Sequence, residues 1–159
     1  MKKILAFTLG VAGAAAVVYV ATDRDTRPTL VEAAAAQSSE PVIIWRDPGC
    51  GCCDAYAEYL RAEGFSVNLI DDRDFDKRSV EMGVPERGIG CHLAMIDGYV
   101  VSGLVPSEII ERLLVERPDI AGITLPGMPA NAPGMAPAKT GTLRTYSFGP
   151  NGVAVYSDE

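Results

Sequence analysis

The four cysteines and the single histidine of this 159-residue chain fall into two short clusters, Cys50-Gly51-Cys52-Cys53 and Cys91-His92. A fold that gives these side chains one task must bring two distant segments together. Thiolate and imidazole donors select copper, zinc or iron–sulfur centres, or carry out redox chemistry at sulfur. Five side chains therefore set what the rest of the chain has to build.

The surrounding pattern reads as α/β. Val42-Ile43-Ile44-Trp45 after Pro41 is expected to be a buried strand, and Asp47-Pro48-Gly49 turns the chain into the first cluster. Helical spacing at Cys52, Tyr56, Tyr59 and Leu60 runs to Gly64, a C′ glycine. A second strand is expected over 65–70, and a weaker helix over 72–82 before Gly83 and Pro85. Strands 92–96 and 99–101 flank Asp97-Gly98, a strong hairpin signal. Pro106 opens a helix with Ile109, Ile110, Leu113 and Leu114 on one face and Pro118 just beyond it. Leu143–Phe148 and Val153–Tyr156 across Gly149-Pro150-Asn151-Gly152 form an added hairpin, expected to pack the long Pro/Gly/Met loop against the domain.

The order β-α-β-α-β-β-α is that of a thioredoxin-like domain. In that topology the loop after the first strand and the start of the third lie side by side at one end of the sheet. Cys50, Cys52 and Cys53 should then face Cys91 and His92.

Residues 1–21 read as an export signal or N-terminal anchor: Met1-Lys2-Lys3, then an uncharged stretch from Ile4 to Ala21 closed by Asp23-Arg24-Asp25. The run is short and poor in leucine for a membrane span. Residues 22–40 read as a linker, and 41–159 as the folded domain, placed outside the cytoplasm. Membrane contact is expected only through the N-terminal segment. Without the first 36 residues, 10 basic and 18 acidic residues remain, a net charge of −8. Such a surface repels nucleic acid and tolerates cations.

Three chemistries fit the clusters. Cysteines at the amino end of a helix are favoured as thiolates, but several buried together require a neutralising cation or a disulfide. Two structural disulfides are one outcome for an exported protein, although neighbouring Cys52 and Cys53 pair poorly with each other. A thioredoxin-like thiol–disulfide oxidoreductase would use the C-x-x-C pair Cys50 and Cys53, against which stand the intervening Cys52, the Cys91-His92 pair, and the absence of a proline directly before the facing strand. The favoured reading is metal. Zinc prefers well-spaced cysteine pairs, whereas three cysteines in four residues suit Cu(I) bridged in a polynuclear site. Met128 and Met135, in Pro-Gly-Met units seven residues apart, are further candidate thioether ligands. Trp45, Tyr56 and Tyr59 read as core residues, and Asp71-Asp72-Arg73-Asp74 as a solvated helix entry.

Asp47-Pro48-Gly49-Cys50-Gly51-Cys52-Cys53, Gly83-Val84-Pro85, Cys91-His92, Asp97-Gly98-Tyr99-Val100, Val105-Pro106 and the two Pro-Gly-Met units resemble the CopG-type bacterial copper-resistance family over residues 41–136. The resemblance implies a periplasmic, thioredoxin-like protein that holds copper in a cysteine-bridged cluster and handles its redox state. Carried over by position, Cys50, Cys52, Cys53, Cys91 and His92 are the metal-site residues. Tyr56 stands where the family often has Trp, Leu93 where Thr is common, and Asn131-Ala132 where Gly-Ser precedes the second unit. None of these departures removes a soft donor. The partners expected are copper ions, other envelope copper-handling proteins and an electron donor.

Overall fold

Residues 40–159 are described by a computed structural model; the expected export segment and nearly all of the linker lie outside them. The strands are β1 (Val42–Arg46), β2 (Val67–Asp71), β3 (His92–Ile96), β4 (Tyr99–Ser102), β5 (Gly122–Thr124), β6 (Arg144–Gly149) and β7 (Gly152–Asp158). The helices are α1 (Gly51–Ala62), α2 (Phe75–Glu81) and α3 (Ser107–Glu116), with a 3₁₀ turn at Glu86–Gly88. One sheet contains all seven strands in the order β2-β1-β3-β4-β5-β6-β7. β1 runs parallel to β2 and β4 parallel to β5, with α1 and α3 as the respective crossovers; the other pairs are antiparallel.

Alternation along the strands divides the core between the two faces. Val42 and Ile44 of β1, with Ala94 and Ile96 of β3, pack against Tyr56, Ala57 and Leu60 of α1 and Ile109, Ile110, Leu113 and Leu114 of α3. The four α3 side chains are fully buried, and each contributes about 1.5–3 kcal/mol. Leu93, Val100 and Phe148 face the other way, with Trp45, Met95 and Val84. Trp45 is half-buried there and carries the Arg78 guanidinium 5.2 Å above its ring.

The expected element order holds, with three differences. β5 was not anticipated, because a three-residue strand carries too few residues to show alternation. Its pairing with β4 and β6 makes the C-terminal hairpin a continuation of the sheet rather than a clasp over the Pro/Gly/Met loop. Asp72 is held rather than merely solvated. It accepts from Arg78 Nε at 2.7 Å and from the Asp74 backbone N–H, which delays the start of α2 to Phe75. The Asp97-Gly98 turn forms as expected, with both residues at positive φ, +47° and +86°, the requirement of a type I′ hairpin. Among the described residues no helix is long and apolar enough to cross a membrane.

Candidate metal centre

The site is built where β1 ends, α1 begins and β3 starts. Cys50 is the N-cap of α1; its carbonyl accepts from the backbone N–H groups of Cys53 and Asp54, each at 3.1 Å. Cys52 and Cys53 therefore lie in the first turn, at the positive end of the helix dipole. Arg46, the last residue of β1, ties that turn to the sheet through Asp54 at 3.2 Å and Asp71 at 3.3 Å. Its place directly after an apolar strand and before Asp47-Pro48-Gly49 was the available signal, and sequence reasoning passed over it.

Gly51 opens α1 with ordinary helical backbone and open space where a Cβ would sit. Gly51→Ala is expected to stabilise the fold by about 0.5–1 kcal/mol, because alanine restricts the unfolded chain and forms helix better. A rise in the denaturation midpoint would confirm it; a fall would show that the turn needs glycine.

The facing segment is pinned by backbone contacts. Gly90 N–H donates to the buried Ser102 Oγ at 3.0 Å, and Gly103 N–H donates to the His92 carbonyl at 3.1 Å. Gly90 also bridges to Gly127 of the Pro/Gly/Met loop. Seven positions on, that loop touches α1 again, where Gly134 approaches so closely that a Cβ would lie 2.7 Å from the Cys52 carbonyl oxygen. The two Pro-Gly-Met units thus mark two places where the loop docks at the site.

The outcome is convergence. The sulfurs of Cys50, Cys52, Cys53 and Cys91 all lie within 4.8 Å of one another. Cys50 and Cys53 form a disulfide, and Cys52 and Cys91 remain free thiols, so the reading as two structural disulfides fails. Cys52 Sγ stands 3.4 Å from Cys50 Sγ and 3.9 Å from Met128 Sδ. Met135 lies elsewhere, in a shallow cleft with Ala55, Glu58, Tyr59 and Ala62 of α1. The spacing argument against a single tetrahedral ion also loses force, since a tetrahedron with bonds of about 2.3 Å has edges of about 3.8 Å. The two segments meet at one end of the sheet, as the strand order led one to expect.

His92 sits behind this group rather than within it. Its Nδ1 is 3.4 Å from Cys91 Sγ, while its Nε2 is buried without a hydrogen-bond partner. Burial pushes its pKa down to about 3, so the ring is a neutral imidazole. Tyr56, expected only as core, forms its wall: the two rings are 4.8 Å apart, and the Tyr56 hydroxyl donates to the Val105 carbonyl at 2.6 Å. Burial, and then the neighbouring Cys52, hold the Cys91 thiol well above its ordinary pKa. An unassisted thiolate at Cys91 is costly, and a cation shared with Cys52 removes that cost. The donors are soft sulfurs, with a neutral imidazole beside them, and such a set suits copper.

Two solved structures titled copper resistance protein CopG, form 2 and form 1, are each 33% identical to this chain, with TM-scores of 0.68 and 0.67. Each match covers 76% of this chain, and 99% and 98% of the solved chains respectively. The chain belongs to the CopG copper-resistance family. Residues 89–135, from the Cys91 segment through both Pro-Gly-Met units, also match a family described as "Protein of unknown function, DUF411". No curated protein matches the chain.

Proposed function

We propose that this protein binds copper as Cu(I) through Cys50, Cys52, Cys53 and Cys91 in a cysteine-bridged, polynuclear site of the periplasm, and cycles its oxidation state. The observation that carries the reading is the meeting of four cysteine sulfurs within 4.8 Å, in a chain of the CopG family. Met128 is a fifth sulfur donor at the exposed rim, and His92 borders Cys91 from the buried side. Five soft donors exceed what one Cu(I) ion takes up, which favours more than one ion sharing thiolates. The periplasmic placement rests on the N-terminal segment read as an export signal and on the family resemblance. Copper donors or acceptors of the cell envelope, and a source of electrons, are the partners this chemistry requires.

Anaerobic titration of the reduced protein with Cu(I) against a competing chelator tests the reading. Several cuprous ions should load per chain, and Cys52→Ser should abolish loading, because Cys52 is the thiol nearest to both Cys50 and Met128. Unchanged loading in that variant would reject the site. Elemental analysis of protein taken from copper-stressed cells identifies the ion held in vivo.

One observation favours a second reading. The Cys50–Cys53 disulfide occupies the C-x-x-C position of a thiol–disulfide oxidoreductase. Strong dithiol-dependent insulin reduction, together with normal copper binding by Cys52→Ser, would decide for it.

A further inference from the structure

The same two sulfurs, those of Cys50 and Cys53, are counted among the metal donors and are also joined to each other. A sulfur in a disulfide is a poor ligand, since the thiolate is the species that binds metal. The oxidised pair and the fully loaded site are therefore alternative states of one set of atoms. Cys52, Cys91 and Met128 take no part in the crosslink and stay available as donors in both states.

We propose that the Cys50–Cys53 pair is the electron source of this site, reducing two cupric ions to cuprous ions as it closes to the disulfide, and being reopened by an external dithiol. The inference rests on the copper-binding reading and names the redox partner it needs. The balance is simple. The Cys50 and Cys53 thiolates form one S–S bond and give up two electrons, one to each Cu(II). The soft donors that remain, the Cys52 and Cys91 sulfurs and Met128, favour the cuprous product.

Exposure sets the return path. Cys53 is fully buried and Cys50 is half-buried, so an incoming thiolate can reach only the Cys50 sulfur. Its attack forms a mixed disulfide with Cys50 and releases Cys53 as thiolate. The partner's second thiol then attacks its own sulfur in that mixed disulfide, frees Cys50 and leaves as the oxidised dithiol. Released Cys53 has a neighbour ready: its Sγ lies 3.4 Å from the Cys91 carbonyl oxygen, a contact that becomes a hydrogen bond once the sulfur carries a proton. Cys52 Sγ also stands 3.4 Å from Cys50 Sγ, but the bond is closed by Cys53, which leaves Cys52 free beside Met128 at the rim.

The test uses the full chain, reduced under anaerobic conditions, freed of reductant and titrated with a cupric salt. Two cupric ions per chain should lose their paramagnetic signal as two thiols disappear, and differential alkylation with fragment-ion mass spectrometry should place the new crosslink at Cys50–Cys53. Cys53→Ser should lose the bleaching. A crosslink involving Cys52 or Cys91, or equal bleaching by Cys53→Ser, overturns the proposal. A parallel titration of the wild type with Cu(I) separates the two claims. Cuprous ion bound while Cu(II) stays paramagnetic, with all thiols intact, removes the electron source and leaves copper binding standing. No cuprous ion bound removes the binding reading itself.

Discussion

Gly90→Ala is expected to destabilise the fold by about 3 kcal/mol or more and to remove copper loading with it. Gly90 runs against Gly103 with no side chain between them. A Cβ built there would overlap Gly103 Cα, lie 2.6 Å from Gly103 N and sit 3.2 Å from the Leu125 carbonyl oxygen. All three obstacles are backbone, so no rotamer change relieves them; the chain segments must separate. Gly90 also donates to Ser102 Oγ and bridges to Gly127, so a shift there displaces Cys91 on one side and the Met128 loop on the other. Denaturant unfolding measures the first effect and Cu(I) titration at low temperature the second. Gly98→Ala supplies the contrast. Its φ of +86° strains an alanine, but nothing lies within 4 Å, so the cost should be about 1–2 kcal/mol with loading retained. Equal losses for both variants would mean that backbone strain, not the packing of the Cys91 segment, dominates.

What the sequence disclosed followed from periodicity and turn chemistry. The alternation in Val42–Trp45, the helical spacing from Cys52 to Leu60 and the Asp97-Gly98 turn each report short-range preferences, and each appears in the structure nearly where expected. The meeting of the two cysteine clusters was legible as well, because β1 and β3 are neighbours in the topology and Arg46 pairs with His92 across them. Contacts made through long loops were not legible. Met128 and Met135 look equivalent as Pro-Gly-Met units, yet Gly90 anchors the first beside Cys52, while the second rests on the outer surface of α1. Nor did adjacency to Cys91 show which way the imidazole of His92 points. His92 begins β3 on the face it shares with Ala94 and Ile96, which sets its ring against Tyr56. Tyr56 was legible as core but not as the wall behind His92, since ring stacking between a helix and a strand leaves no mark on sequence spacing.

Cys91→Ser is expected to weaken Cu(I) binding by roughly 100-fold or more while leaving the fold intact. Serine keeps the shape of the side chain, and its hydroxyl can donate to the neutral His92 Nδ1 that now lies 3.4 Å from the sulfur, so the buried wall formed with Tyr56 survives. What disappears is the only soft thiol donor that β3 brings to α1. Without it the three remaining cysteines come from one four-residue stretch, and two of them can still close the disulfide. Met128→Leu should lower affinity by only about a few-fold, because this thioether sits at the rim, 55% exposed and 3.9 Å from Cys52 Sγ, and contributes no charge. Competition titrations of both variants against a cuprous chelator, each checked for wild-type unfolding behaviour, give the ranking. A Cys91→Ser protein that binds as the wild type does would place the copper on the Cys50–Cys53 loop alone and make the approach of β3 to α1 a matter of packing rather than of ligand supply.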